Sequence, residues 1–247
     1  MTSYQKTLDH QEDEGLTVLL ISVLLSVGIL SIVLLTMFMI WADISLLPDS
    51  QTWPAFLAQQ AQIMGFPLAG ESSAFWYMSR AAGLLAYAFI WGSMIWGLLL
   101  STKLLKPHVS PLLAFGIHET FSLLGLGFAL FHALILLGDS YVDFDLLSIF
   151  LPFSASYEPL WTGLGTLSFY AYALIILSFY VRKHIGQKLW RRLHYLNFGI
   201  YAMALVHGFQ IGSDTQHSLV FYFYVGSTTL LLFLIFYRIL IQVNLKP

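Results

Sequence analysis

Long uncharged runs of apolar residues dominate the chain and are separated by short polar segments. A helix needs about 20 predominantly apolar residues to cross the hydrocarbon core of a bilayer, which is about 30 Å thick. Six runs meet this requirement, so the pattern predicts an all-α membrane protein built as a six-transmembrane-helix bundle. In chain order, the predicted spans are Gly15–Ala42, Ala81–Ser101, Thr120–Gly138, Pro159–Val181, Leu193–Ser213 and Gln216–Tyr237.

The remaining segments predict tails, loops and surface elements. Leu146–Phe153 is apolar but too short to span, and Trp53–Leu68 has the apolar and polar alternation of a helix lying on the membrane surface. The polar, acidic residues 1–14 predict a cytoplasmic tail. The apolar run after them is too long for a signal peptide, and we expect it to be retained as the first helix. Residues 15–247 are then expected to form one domain.

The composition agrees with a location in the bilayer. Only 10% of the 247 residues are charged and 58% are hydrophobic, whereas a soluble domain has about 25% charged residues. The chain contains no cysteine. This excludes disulfides, iron–sulfur clusters, thiolate-ligated haem and covalent attachment of haem.

Basic residues predict the orientation, because Lys and Arg are enriched in cytoplasmic loops. Ten of the eleven fall on one side of the predicted bundle, so both termini are expected in the cytoplasm and the protein in the cell membrane. The exception is Arg80. The ten are Lys6, Lys103, Lys106, Arg182, Lys183, Lys188, Arg191, Arg192, Arg238 and Lys246.

Four histidines in the third and fifth predicted spans are the strongest functional signal. An ionisable side chain at membrane depth is costly and indicates a functional site. His118 and His132 are 14 residues apart, which corresponds to about 21 Å of helix and a return to within roughly 40° of the same face. Small residues lie between them at Ser122, Gly125 and Ala129. This face predicts a groove for a flat macrocycle, although small residues also favour close helix packing.

The second pair, His194 and His207, is 13 residues apart. On an ideal helix these side chains point roughly 140° apart, so we expect a local distortion, with Gly199 as a candidate position. The two predicted spans run in the same direction. We therefore predict an inner haem b on His118 and His194 and an outer haem b on His132 and His207, between the third and fifth helices. Bundles commonly build such sites from facing helices.

Other interpretations of these histidines remain. Membrane histidines often form helix–helix hydrogen bonds, and a haem-free metal or proton transporter would also use them. No carboxylate is expected deep beside the pairs. His10, His108, His184 and His217 lie at the span edges, where solvated side chains are expected. Phe198 and Tyr201 lie between the two histidines of the fifth span. Aromatic core residues are the commoner explanation, and a position between the haems is the alternative.

At this point the sequence resembles the ferric reductase-like transmembrane domain family, which includes NADPH oxidases, ferric reductases and the haem b subunit of periplasmic methionine sulfoxide reductase. The resemblance covers about Phe75 to Arg238. It rests on S-R-A-A-G-L-L-A-Y from Ser79, on H-E-T-F-S-L-L-G-L-G-F-A-L-F-H from His118, and on L-W-R-R-L-H from Leu189. The family implies six helices with two haems between the third and the fifth.

The chain departs from these relatives in two respects. It ends nine residues after Arg238, which leaves no room for the FAD and NADPH module of the oxidases, so no flavin is expected on this chain. Leu136 stands where superoxide-producing oxidases carry another histidine, and superoxide production is not expected. The resemblance implies that Arg80 binds near the outer haem, as a propionate or anion ligand. Arg191, Arg192 and Lys103 are expected near the inner haem edge.

Together these features predict a di-haem electron-transfer subunit, an oxidoreductase component that needs a partner. The expected donor is a cytoplasmic flavoprotein or a quinol. The expected acceptor is an extracytoplasmic reductase, a flavoprotein or ferric iron, and no nucleic acid is expected. One alternative is the quinol-dependent haem subunit of a periplasmic reductase such as methionine sulfoxide reductase. An alternative of another class is the haem-free transporter.

Overall fold

The computed structural model describes residues 74–104, 109–139, 142 and 144–244, and every regular element in this part of the chain is helical. The predicted tail (1–14), first span and surface helix at Trp53–Leu68 lie outside the described residues. The helices are α1 (Ala74–Thr102), α2 (Pro111–Ile135), α3 (Leu146–Phe150), α4 (Pro159–Tyr180), α5 (Arg182–Ile185), α6 (Gln187–His194), α7 (Asn197–Ile211) and α8 (Ser218–Asn244). Short 3₁₀ turns occupy Leu136–Gly138 and Ser213–Gln216.

Four of these helices are long and apolar enough to cross a membrane, which identifies the chain as a membrane protein. The qualifying segments are Phe75–Thr102, Pro111–Gly138, Pro159–Tyr180 and Ser218–Ile241. They correspond to the second, third, fourth and sixth predicted spans.

Two of the helices begin well before their predicted starts, because charged residues are accommodated inside them. α1 begins at Ala74 rather than Ala81, and Arg80 within it is paired with Asp214. α2 begins at Pro111 rather than Thr120, where the Ser110 side chain accepts a hydrogen bond from the amide of Leu113. A proline at the first helical position and a serine cap are a common helix start.

The fifth predicted span is not one continuous helix. It comprises the end of α6 and the 15 residues of α7, separated at Tyr195 and Leu196. Around this break the amides of Tyr195, Leu196 and Phe198 each bond to the carbonyl three residues earlier. Gly199 lies inside α7, so the predicted distortion occurs a few residues before the expected position.

The tightened turn explains in part how His194 and His207, 13 residues apart, can both face α2. A 3₁₀ turn advances about 120° per residue, against about 100° for an α-helix. Three tightened residues add about 60° of rotation. The angle between the directions of the His194 and His207 side chains is therefore smaller than on an ideal helix.

The helices pack in a way that leaves room between the histidine-bearing elements. α1 lies along α2 over most of its length, α4 packs on α7, and α8 packs on α1. Among the described helices, α2 and α7 are not a closely packed pair. The buried core lies where α1, α4, α7 and α8 meet and includes Tyr87, Ile90, Tyr172 and Tyr201.

Candidate functional site

The four histidines meet in two pairs across the space between α2 and the α6–α7 segment. The ring centroids of His118 and His194 are 6.0 Å apart, and those of His132 and His207 are 6.1 Å apart. The planes of the two rings are inclined by 73° in the first pair and by 80° in the second. All four side chains are half-buried. The structure therefore gives two equivalent arrangements, one near each end of α2.

Both histidines of α2 are oriented by serines of α1. Nδ1 of His118 lies 2.9 Å from the carbonyl oxygen of Ser93, and Nδ1 of His132 lies 2.8 Å from that of Ser79. The serine hydroxyls lie close to the same nitrogens, at 3.2 and 2.9 Å. A carbonyl oxygen only accepts, so Nδ1 carries the proton in both rings and Nε2 keeps its lone pair.

The histidines of the α6–α7 segment have different partners. Nδ1 of His207 donates to the carbonyl oxygen of Trp161, 2.8 Å away. Nδ1 of His194 lies 3.2 Å from Nδ2 of Asn197, and its ring stacks on Trp190 with centroids 5.1 Å apart. Three of the four rings are thus held by the main chain, and His194 is held by side chains.

A repeated Ser-x-x-x-Gly motif in α1 matches the histidine spacing of α2. The first copy is S-R-A-A-G at Ser79–Gly83, and the second is S-M-I-W-G at Ser93–Gly97. The copies are 14 residues apart, as are His118 and His132. This equal spacing on neighbouring segments is the sequence signal that could have identified the partners of both histidines.

Glycines lie directly against three of the imidazole rings. A Cβ atom on Gly83 would come within 3.0 Å of His132, and one on Gly97 within 3.2 Å of His118. A Cβ atom on Gly165 of α4 would lie 2.5 Å from the His207 ring. Real Cβ atoms essentially never come as close as 2.5 Å, so His207 can keep its observed place only with glycine at position 165. A Cβ atom at position 83 or 97 would require His132 or His118 to move by a few tenths of an ångström.

Each histidine pair lines a cavity. The cavity lined by His132 and His207 (the His132 cavity) has a volume of about 200 Å³, and the cavity lined by His118 and His194 (the His118 cavity) one of about 510 Å³, both partly open. The second value falls within the range of roughly 300–1,000 Å³ that is typical of small-ligand pockets, and the first lies below it.

The small residues predicted along α2 have two roles. Ser122 lines the His118 cavity, and Ala129 lines the His132 cavity. Gly125 instead lies under Ile90 and Tyr172. These last two side chains line both cavities, so they form the wall between them. The Tyr172 hydroxyl donates to the carbonyl oxygen of Ser122 at 3.1 Å.

Phe198 and Tyr201, for which a place in the aromatic core was the commoner explanation, both belong to the core around Tyr87 and Ile90. Phe198 lines the His118 cavity. Tyr201 is buried, and its hydroxyl lies 2.6 Å from that of Tyr87 and 3.3 Å from Thr228 Oγ1. The tyrosine therefore belongs to a hydroxyl network between α1, α7 and α8. Position along α7 was insufficient to predict this, because the face that Tyr201 presents depends on the break before the helix.

Arg80 lines the His132 cavity but is already engaged. Its guanidinium donates to both carboxylate oxygens of Asp214, with Nε 2.7 Å from Oδ2 and Nη2 bonded to Oδ1. Its Cζ also lies 5.4 Å from the centre of the Tyr77 ring. Asp214 lines the same cavity, so a carboxylate already neutralises the cation that the sequence assigned to a propionate or anion.

The rim of the His118 cavity is basic. Arg191 of α6 and Arg238 of α8 both line it, whereas Arg192 and Lys103 are exposed and do not. Arg238 had been noted only for orientation. Its place at this cavity follows from α8 continuing as a helix to Asn244.

A buried carboxyl group lies beside His118, contrary to the expectation that none is present. Glu119 is 7% exposed, lines the His118 cavity, and accepts a hydrogen bond from the Tyr180 hydroxyl at 3.0 Å. The sequence prediction was wrong because it began the span at Thr120, which left Glu119 outside.

The other histidines within the described ranges, His184 and His217, are exposed and line neither cavity. His10 and His108 lie outside the described residues. In the described ranges, no group of three or more His, Cys, Asp or Glu side chains is arranged to hold a metal ion. The four histidines that line the cavities come in pairs.

A scan of the chain against protein-family models finds no match, and comparisons with curated proteins and with solved structures find none either.

Proposed function

We propose that this chain is a di-haem b transmembrane electron-transfer subunit. The observation that carries the proposal is the meeting of four separated histidines as two pairs with nearly equal centroid distances, 6.0 and 6.1 Å. Each pair takes one ring from α2 and one from the α6–α7 segment. A site of this kind, repeated at two depths, is suited to moving electrons along the membrane normal.

The pair geometry fits axial ligation. An imidazole nitrogen binds a metal at about 2 Å, and the ring centre is about 1 Å further away. Two rings on opposite sides of one ion therefore have centroids about 6 Å apart. The Nδ1 protons of His118, His132 and His207 are donated to carbonyl oxygens, which leaves Nε2 free to bind iron.

The surroundings also fit a large flat group. Both cavities are partly open and lined mostly by apolar side chains, and glycines lie against three of the four imidazole rings. His118 and His194 would hold one haem, and His132 and His207 the other. When bound, each haem supplies a one-electron iron couple, whose potential the protein sets through burial and hydrogen bonds.

The residues of this chain then have distinct tasks. Ser79, Ser93 and Trp161 fix the tautomer and orientation of three ligands through their carbonyls. Ile90 and Tyr172, which are buried and line both cavities, separate the two sites. Arg191 and Arg238 supply positive charge where propionates of the His118 site would emerge. In the predicted orientation, electrons enter at this basic, cytoplasmic end and leave near Arg80.

One observation favours the quinol-dependent alternative for the donor. Quinol oxidation releases protons as well as electrons and needs a general base within reach. Glu119 is a buried carboxyl in the cavity that holds His118 and His194. A flavoprotein donor would need no such group. Reduction of the purified protein by a quinol analogue, and its loss in Glu119→Gln, would identify quinol as the donor.

The haem-free transporter is less well supported. Zinc sites in proteins generally take three or four protein ligands, and in the described ranges such groups are absent. The two pairs are also separated by Ile90 and Tyr172, which would interrupt a continuous ion path.

The test is a haem count on purified protein from haem-replete cells. We expect two b-type haems per chain, one in His132→Ala and one in His118→Ala. His217→Ala, which changes an exposed histidine outside both cavities, should keep two. A wild-type protein without haem, or a His132→Ala variant that keeps both, would overturn the proposal.

A further inference from the structure

His194 differs from the other three paired histidines in how its ring is held. The others donate Nδ1–H to main-chain carbonyls, which no substitution removes. The hydrogen bond of the His194 ring within the described residues is to the side chain of Asn197. The orientation of this histidine therefore depends on the residue at position 197.

The Asn197 amide has one satisfied and one unsatisfied end. Nδ2 lies 3.2 Å from His194 Nδ1, while Oδ1 is buried without a partner. The two ends of an amide are alike in shape, and the hydrogen-bond network decides which atom faces which neighbour. Rotating the amide by 180° brings the acceptor Oδ1 to His194 Nδ1, so that the oxygen gains a donor, and places Nδ2 where the unpaired oxygen lay.

The two orientations have opposite consequences for His194. If Nδ2 donates to Nδ1, the proton of the neutral ring is on Nε2, and that nitrogen cannot bind a metal. If Oδ1 accepts from Nδ1–H, Nε2 is free, as in the other three rings. Only the second orientation makes the four histidines equivalent.

We propose that Asn197 is the positioning residue of His194, with Oδ1 accepting the Nδ1 proton and thereby setting the tautomer and basicity of this ligand. This inference rests on the proposed function, since it concerns the ligand role of His194.

The local fold explains why an asparagine is needed here. His194 ends α6 and Asn197 begins α7, and Tyr195 and Leu196 form the break between them. Because the chain tightens at the break, the side chain of Asn197 reaches back to the ring that precedes it. Trp190 stacks on that ring with its plane inclined by 30°, so the imidazole is held on its face by an indole and at its edge by an amide.

The test measures the midpoint potentials of both haems in Asn197→Asp and Asn197→Leu. A carboxylate accepts the Nδ1 proton more strongly than an amide, which makes the ligand a better donor and stabilises ferric iron. We expect the potential of the His118/His194 haem to shift downward in N197D and upward in N197L. The other haem should not shift.

A control variant separates positioning from general disturbance. Gly199→Ala adds a methyl group to α7 where nothing lies within 4 Å, and no shift is expected.

A second measurement does not depend on bound haem. In haem-free protein labelled with ¹⁵N-histidine, His194 should carry its proton on Nδ1 in the wild type and in N197D, and should lose this preference in N197L. A wild-type His194 protonated on Nε2 would overturn the assignment.

The outcomes distinguish the two proposals. Wild-type protein without haem overturns the proposed function, and with it the ligand role of His194 on which this inference rests. Two haems whose potentials are unchanged in both Asn197 variants overturn the role of Asn197 alone.

Discussion

Gly165 of α4 lies directly against the imidazole of His207, so that a single methyl group there would come 2.5 Å from the ring. The ring cannot retreat freely, because its Nδ1 donates to the carbonyl of Trp161 on the same helix. The position of His207 is therefore defined from two sides by α4.

Gly165→Ala is expected to displace His207 and to cost about 1–3 kcal/mol of stability through overpacking. The variant should keep one haem of two, measured by haem content, and its thermal unfolding in detergent should shift downward. Gly199→Ala is the matched control, since alanine there meets open space and favours the helix. Full haem content and unchanged stability in Gly165→Ala would contradict this packing.

The Arg80–Asp214 pair is expected to tune the haem of the His132 cavity through charge. The side chains are 26% and 18% exposed, so water screens them only in part. Asp214→Asn leaves a net positive charge and should raise the potential of that haem, whereas Arg80→Gln should lower it. The double variant should return close to the wild-type value. Shifts of the same sign in both single variants would show that charge is not the cause.

The two arginines at the rim of the His118 cavity, Arg191 and Arg238, are expected to affect this site more than the neighbouring Arg192 does. Arg191→Ala and Arg238→Ala each remove a cation that lines the cavity, and each should lower the potential of the His118/His194 haem and hasten its loss on dilution in detergent. Arg192→Ala changes an exposed residue of the same helix α6 and should do neither. Equal effects of all three would indicate a response to total charge instead of to the rim.

Tyr180→Phe is expected to destabilise the protein by roughly 0.5–1.5 kcal/mol, because the buried carboxyl of Glu119 loses one hydrogen bond. Tyr195→Phe serves as the control, since Tyr195 and Tyr180 are both exposed tyrosines and only Tyr180 donates to Glu119. Thermal or denaturant unfolding of the two variants beside the wild type measures the difference. A Tyr180 variant as stable as the Tyr195 variant would show that the hydrogen bond contributes little.

Much of the fold could be predicted from hydropathy alone. Four predicted spans correspond to helices long enough to cross a bilayer, because in lipid every backbone group must be satisfied within the segment. The boundaries could not be predicted as well. Arg80 and Glu119 appeared to mark span ends, yet both lie within helices because Asp214 and Tyr180, distant in sequence, provide their partners.

The paired positions of the histidines followed from spacing and direction, but the details of the site did not. The break at Tyr195 and Leu196 has no proline or glycine to signal it. The roles of Asn197 and Gly165 depend on which helix faces which histidine, and a sequence pattern gives no contact of that kind. The family resemblance remains an inference from motifs.

The wall formed by Ile90 and Tyr172 would link the occupancy of the two cavities and the reduction of the two proposed haems. Because the same two side chains face both cavities, occupying one compartment restricts the shape of the other. A charge in one cavity also changes the electrostatic potential in the other, because the side chains between them have a low dielectric constant. The two centres would then behave as a coupled pair, so that reduction of one makes reduction of its neighbour harder and each apparent midpoint belongs to the pair.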